Sequence, residues 1–236
     1  MAGYMVCWPQ DQWKKIKKAG DHGPIKVVHG SIHSRMPTIV SIQVGDVVFP
    51  VTQMNRHLYV LARLPVTHRE PSFDYLMREL GTRHSALIPE GIAEETQSRT
   101  GKTYYWTWNC KAYNHLEDIP EGIRIIPRSE QVEKPHLAHQ EPFNCCSQWS
   151  VWGEAGSSIE PRQLPDELLP ELRFGYPKHK EKPLKFTPAG SVLSSSLTAT
   201  RRMSEETLAI FERLFTQTLS ETHTCPEPVQ TFPSNP

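Results

Sequence analysis

Apolar and polar residues are arranged in two periods along this chain, one of roughly 3.6 and one of 2, and each predicts its own kind of element. Residues 4–8 (YMVCW) form a short apolar run that predicts a strand. In PQDQWKKIKKAG, Trp13 and Ile16 share one helical face, with Lys14, Lys15, Lys17 and Lys18 around it as a solvated rim. Pro9 suits the first helical position there and Gly20 the residue past the end. The period-2 signal is strongest over residues 25–66, where IKVVHG and TIVSI predict strands and Gly45-Asp46 a turn. VVFPVTQM and LYVLARLPV, joined across Asn55-Arg56-His57, predict a hairpin. Apolar residues fall on both faces of that hairpin, which places it centrally in a barrel or sandwich.

Helical spacing returns at residues 72–81 (SFDYLMRELG), between Ser72 as N-cap and Gly81 as terminator, with Phe73, Leu76, Met77 and Leu80 as the core stripe. Residues 82–102 carry little signal. KTYYWTWNCKAY then reads as one aromatic strand with Tyr104, Trp106 and Trp108 on one face, and IRIIP (123–127) as another strand. Residues 128–147 read as loop. Trp149 and Trp152 stand in SQWSVWGEAG, and QLPDELLPELRFG gives a helical turn that Pro170 keeps short. HKEKPLKF is basic and reads as an edge or connector. The clearest helix is MSEETLAIFERLF, capped by Ser204, with Leu208, Phe211 and Phe215 as a stripe flanked by Ile210 and Leu214. The Pro- and Thr-rich end, from about residue 220, reads as a disordered tail.

The pattern predicts an α+β protein divided into a body over 1–125, a loop over 126–148, further strands and a helix over 149–219, and the tail over 220–236. Composition narrows this further. The 236 residues balance 26 basic against 26 acidic side chains, so no global positive field draws in nucleic acid. The 21 prolines and 13 glycines favour short elements. Five cysteines at irregular spacing, no secretory leader and no long apolar run predict a cytoplasmic protein with reduced thiols and no membrane partner.

Three constellations could carry chemistry. His136-x-x-His139 stands close before Cys145-Cys146, with Cys110 and His115 upstream, but zinc sites draw on knuckles such as C-x2-C, and none is present. The same side chains read alternatively as free thiols and surface histidines, with no metal. No nucleophile elbow, phosphate loop or dinucleotide fingerprint occurs; a hydrolase would have to use Cys145 or Cys146 with His136 or His139, or zinc. The third constellation is aromatic: Trp106, Trp108, Trp149 and Trp152 could line a cage, or simply fill a core.

Residues 39–66 carry a further pattern: an apolar approach, Gly45-Asp46, a strand, a polar turn, and a return strand ending in Ala62-Arg63-Leu64-Pro65-Val66. With the N-terminal strand ending at Trp8 and the short helix after it, this resembles the EVE, YTH and ASCH group of the PUA-like superfamily over about residues 4–66. The resemblance implies a PUA-like β-barrel in the first part of the chain, with peripheral helices and a C-terminal α/β extension. It also implies non-enzymatic binding of a modified or flipped nucleobase, in DNA or RNA, between aromatic walls and without a cofactor. On that expectation Trp8, Trp106, Trp108 and Trp152 are candidate walls, Asp46 or Asn109 reads a base edge, and Lys14, Lys17, Arg201 and Arg202 contact phosphate. The alternatives are a protein-interaction module, such as an antitoxin or immunity protein, whose exposed aromatics mark a partner surface, and the hydrolase above.

Overall fold

The computed structural model describes residues 1–32, 38–81, 87–98, 100–108, 111–131, 134–143, 147–176, 181–197 and 200–216. In chain order its elements begin with β1 (Gly3–Cys7), α1 (Gln10–Lys18), β2 (Val27–Gly30), β3 (Val47–Met54), β4 (His57–Val60), β5 (Leu64–Pro65), β6 (His68–Pro71) and α2 (Ser72–Glu79). There follow β7 (Ile92–Gln97), β8 (Thr103–Thr107), β9 (Lys111–Tyr113), β10 (Arg124–Ile126), β11 (Trp149–Trp152), β12 (Arg162–Gln163), β13 (Arg173–Phe174), β14 (Lys182–Pro183), β15 (Arg201–Arg202) and α3 (Glu205–Thr216). The protein is α+β.

β3 organises the molecule because both its faces are apolar, and residues 47–52 are all buried. β1 pairs with it in parallel, from Gly3 opposite Val47 to Cys7 opposite Val51. A parallel pair needs a long crossover, and α1 lies in that connection. β4 pairs antiparallel through a two-residue turn in which Asn55 and Arg56 both have positive φ (49° and 73°), as a type I′ turn requires. The predicted return strand is broken in two. Val60 opposes Val51 and Leu64 opposes Val48, so residues 61–63 face only Phe49 and Pro50. Pro50 has no N–H to give a ladder, and a bulge forms beside it. β12 and β15 extend the sheet to the order β12–β4–β3–β1–β15, with β5 also on β3.

Strand alternation sends Met5, Phe49, Val51, Leu58 and Val60 to one side of this sheet, where Leu164, Leu172, Phe174, Ile210 and Phe211 cover them. Tyr4, Val6, Val48 and Leu64 go to the other, onto Trp8, Ile16, Ile25 and Val151. That second side is closed by α1 and by the antiparallel sheet β2–β11–β6. Among the described residues no sheet closes on itself as a barrel; the central one remains open from β12 to β15. β11, β12 and β15 complete sheets begun in the first part of the chain, with β11 seated between β2 and β6, while β13 and β14 pair with each other as a separate two-stranded sheet.

Other expectations shift for local reasons. TIVSI is a 3-10 turn at Ile39–Ser41, since Ile39 and Ile42 both enter the core, at a spacing of three rather than two. α2 is rotated so that Ser72, Tyr75 and Leu76 are buried, with Leu80 behind them, while Phe73 and Met77 are only half-buried. Burial of Tyr75 is made possible by Gln140 Nε2, which donates to its hydroxyl at 3.1 Å. The aromatic strand is a hairpin, β8 and β9, in the separate sheet β10–β7–β8–β9. α3 buries Thr207, Ile210 and Phe211, with Leu208, Leu214 and Phe215 packed at the margin. The tail prediction falls on residues outside those described. No described helix is long and apolar enough to cross a membrane.

Candidate functional site

β6 is an edge strand, and its pairing with β11 sets His68 directly opposite Trp152. The exposed imidazole lies flat against the indole, with ring centroids 3.8 Å apart and planes 8° from parallel. One turn of α2 beyond Tyr75 brings Arg78 to the same place, its Cζ 4.8 Å over the Trp152 ring and 5.7 Å over that of Tyr75. Two carboxylates fix this guanidinium. Glu70 accepts from Nη1 and Nη2 at 2.6 and 2.7 Å, and Glu79 accepts from Nε at 2.8 Å. Hydrogen bonding to Glu70, then to Glu79, raises the Arg78 pKa against the effect of burial, so the guanidinium is cationic at any working pH. The indole Nε1 is buried and makes no hydrogen bond among the described residues. The result is a flat aromatic platform with an exposed imidazole on it, a fixed cation beside it and two carboxylates that can accept from amino groups.

Behind the platform lies a hydrogen-bonded wall. His29 on β2 joins Ser72 Oγ through Nδ1 (2.9 Å) and the Gln140 carbonyl through Nε2 (3.0 Å), and packs edge-on to Tyr75. Burial pushes the Tyr75 phenol up to about 12. The Tyr75 phenol therefore stays protonated across the physiological range, and the wall serves to position α2.

Of the residues singled out from sequence, Trp152 alone belongs to this platform. Trp8 is a core side chain, 5% exposed. Trp106 is half-buried on β8 against Tyr104, and Trp108, 52% exposed, follows the strand; Asn109 lies outside the described residues. The four candidate walls are thus set in three different surroundings. Asp46 is a brace: Oδ1 accepts from Ala2 N–H at 2.8 Å and Oδ2 from Gln43 N–H at 2.9 Å, tying β1 to the turn before β3. Lys14 and Lys17 are exposed on α1, and Lys14 makes a surface pair with Asp11. Arg201 and Arg202 lie over Phe174 and Tyr176, and burial lowers the Arg201 pKa.

The histidines of the proposed metal or hydrolase site are not surface groups of a loop. His139 is buried, and Lys26 N–H donates to its Nε2 at 3.1 Å, so the neutral ring carries its proton on Nδ1. That proton points at Asp21 Oδ2, 2.9 Å away, and Asp21 also accepts from the backbone of His139 and Gly23. Burial works against the Asp21 charge, but these bonds outweigh it and hold the carboxyl below its ordinary range. His136 uses both ring nitrogens, on Lys134 O and Glu141, and Glu141 also pairs with Lys15. Both rings are thereby committed to structure. Cys110, Cys145 and Cys146 lie outside the described residues, and no three metal-ligating side chains gather among those described. Cys7 is a free thiol that burial pushes up to about 11, so it is protonated at neutral pH.

In sequence, no family model and no curated protein matches this chain. His68, Arg78 and Glu70 escaped sequence reading because nothing in HREP or YLMRE marks them; only the β6–β11 register and the end of α2 bring them to Trp152.

Proposed function

We propose that this is a PUA-like protein that binds, without chemistry, a planar nucleobase or nucleotide-like ligand, with the His68–Trp152–Arg78 platform as its stacking surface. The observation that carries the reading is the parallel imidazole–indole stack at a sheet edge, open to solvent on its imidazole side. A base laid on such a surface gains about 1–3 kcal/mol by stacking. Glu70 and Glu79 beside it can accept from exocyclic amino groups, as carboxylates do in base readout. Because stacking does not need net positive charge, the neutral composition is compatible with this role. The order β1, α1, β2, Gly-Asp turn, β3, β4 supports the PUA-like assignment of the body.

The test is binding of fluorescently labelled single-stranded DNA and RNA carrying unmodified, methylated or hydroxymethylated bases, measured by anisotropy. His68→Ala and Trp152→Phe should each weaken binding several-fold to a hundredfold while leaving Tm nearly unchanged for His68→Ala. Absence of saturable binding to every oligonucleotide removes the reading.

A second reading, a protein-interaction module, is favoured by one separate observation: Trp108 and Leu116, each 52% exposed, on the β7–β10 sheet and the turn after it. Aromatic anchors of this kind dominate protein interfaces. Recovery of one stoichiometric protein partner by the wild type, lost with Trp108→Ser, would move the assignment there.

A further inference from the structure

The bulge in the central sheet has a second effect. Leu61 N–H still reaches Pro50 O on β3, at 2.8 Å, but Ala62 and Arg63 have no partner in the β3 ladder, and Arg63 leaves the sheet toward residues 155–162. Its backbone is fixed there from both sides, with N–H to Ser157 Oγ and C=O from Ser157 N–H, each 2.9 Å. The facing segment can lie this close because two of its residues have no side chain. A Cβ on Gly153 would stand 2.3 Å from Pro65 O, and one on Gly156 1.8 Å from Ile25 O. Between this segment and the end of α3 is an open depression of about 430 Å³, lined by Arg63, Gly156, Ser157, Ser158, Arg162 and Phe215 among others.

Two guanidiniums face it, each held by a carboxylate. Arg63 gives Nε to Glu212 Oε2 at 2.7 Å, which leaves its Nη1 and Nη2 without hydrogen bonds among the described residues, on a side chain 29% exposed. Arg162 gives Nη2 to the Glu160 carboxylate at 3.0 Å and Nη1 to the Glu160 carbonyl at 3.3 Å, and lies over Phe215, Cζ to centroid 4.5 Å, so it adds charge beside the free Arg63 pair. An arginine anchored through Nε presents its remaining N–H groups as a pre-set pair, the geometry that suits an oxyanion. Glu160 and Glu212 nearly neutralise the two cations, so a bare anion binds weakly and one carried on a larger ligand binds better.

The ligand class follows from where the depression lies. Residues 63–68 and 152–157 run side by side, joined by Ser157 N–H to Arg63 O and Thr67 N–H to Trp152 O. The platform is at one end of this paired segment and Arg63 at the other, five residues away, at most ~18 Å along an extended chain. We infer that the Arg63–Arg162 depression is a phosphate seat for a single-stranded nucleic acid, taking the phosphate of a neighbouring nucleotide when a base stacks on His68 and Trp152. The ligand class rests on the platform reading; the anion seat can be tested without it.

The protein is titrated with inorganic phosphate and pyrophosphate, following ³¹P line broadening, with acetate as the carboxylate control. Saturable phosphate binding is expected, weakened about tenfold or more by Arg63→Lys, which keeps the charge beside Glu212 but removes the guanidinium fork. Arg162→Met should have a similar effect, and His68→Ala should have none. An Arg63→Lys protein of unchanged Tm that binds phosphate like the wild type overturns the seat, as does acetate competing as well as phosphate. If phosphate fails but labelled oligonucleotides still bind in a His68-dependent way, the seat falls and the platform stands. If oligonucleotide binding fails while inorganic phosphate binds in an Arg63-dependent way, the anion seat stands and its assignment to a base-carrying ligand falls.

Discussion

Two sheets of this protein each carry large apolar side chains and are treated in opposite ways. β3 is covered on both faces, by Phe211 and its neighbours on one side and by Trp8, Ile16 and Val151 on the other. β8 is richer in aromatics, yet four of its five residues are only partly covered, and Trp108 beyond it is half in solvent. What separates them is the number of layers around each strand. Aromatic content alone says nothing about burial, because a strand's side chains are hidden only when other elements arrive to cover them. The His68–Trp152–Arg78 platform lies on the third sheet, at an edge that α2 covers only in part.

The largest effect should come from the doubly covered sheet. Phe211, fully buried and edge-on to Phe49 at 5.4 Å, should cost about 3–5 kcal/mol as Phe211→Ala, read from urea unfolding. If it costs no more than Trp106→Ala, the contrast between the sheets is false. Asp21→Ala should follow at about 3 kcal/mol, because it orphans three N–H donors in a site closed to water. This term has a defined pH dependence. A carboxyl held below its unfolded value stabilises the fold above that value, near pH 4, and the contribution fades as pH falls through the lower folded value. The wild type should therefore lose its advantage over Asp21→Ala in acid, with no change between pH 6 and 8; an advantage that persists undiminished to pH 2 would refute the assignment.

Native-state hydrogen exchange sharpens the comparison at a smaller scale. Amides of β7 and β8 should exchange at least about tenfold faster than those of β1 and β3, since the outer sheet can open without exposing either main core. Equal protection in both would mean that they unfold as one unit. Trp108→Ser should change stability by less than about 0.5 kcal/mol, as surface substitutions do. A larger loss would place Trp108 in a packed contact.

Legibility in the sequence followed the same division. α1, α3 and the β3–β4 turn were readable because their signals are local: Pro9 and Gly20, Ser204 before the Leu208–Phe211–Phe215 stripe, Asn55-Arg56-His57 between apolar runs. β7 was not, since IAEETQ has no apolar alternation and is a strand only because β8 and β10 lie on either side. The rotation of α2 was hidden because it depends on Gln140, distant in sequence, to satisfy Tyr75. The burial of His139 needed knowledge of Asp21 and Lys26. Trp152 was legible as a candidate by residue type, but its partners His68 and Arg78 were not, because cross-strand register is a property of the fold.

The parallel placement of β1 has a consequence during synthesis. Its two neighbours are β3, made soon after it, and β15, which pairs Met5 with Arg201 and Tyr4 with Arg202. At roughly 5–20 residues per second, the ribosome takes about 10–40 s to reach that partner. Through that interval one edge of β1 offers unpaired backbone groups to any other strand, and Phe49 lacks its cover from α3. Until β15 and α3 have emerged, the nascent chain is thus open to mispairing along that edge of β1.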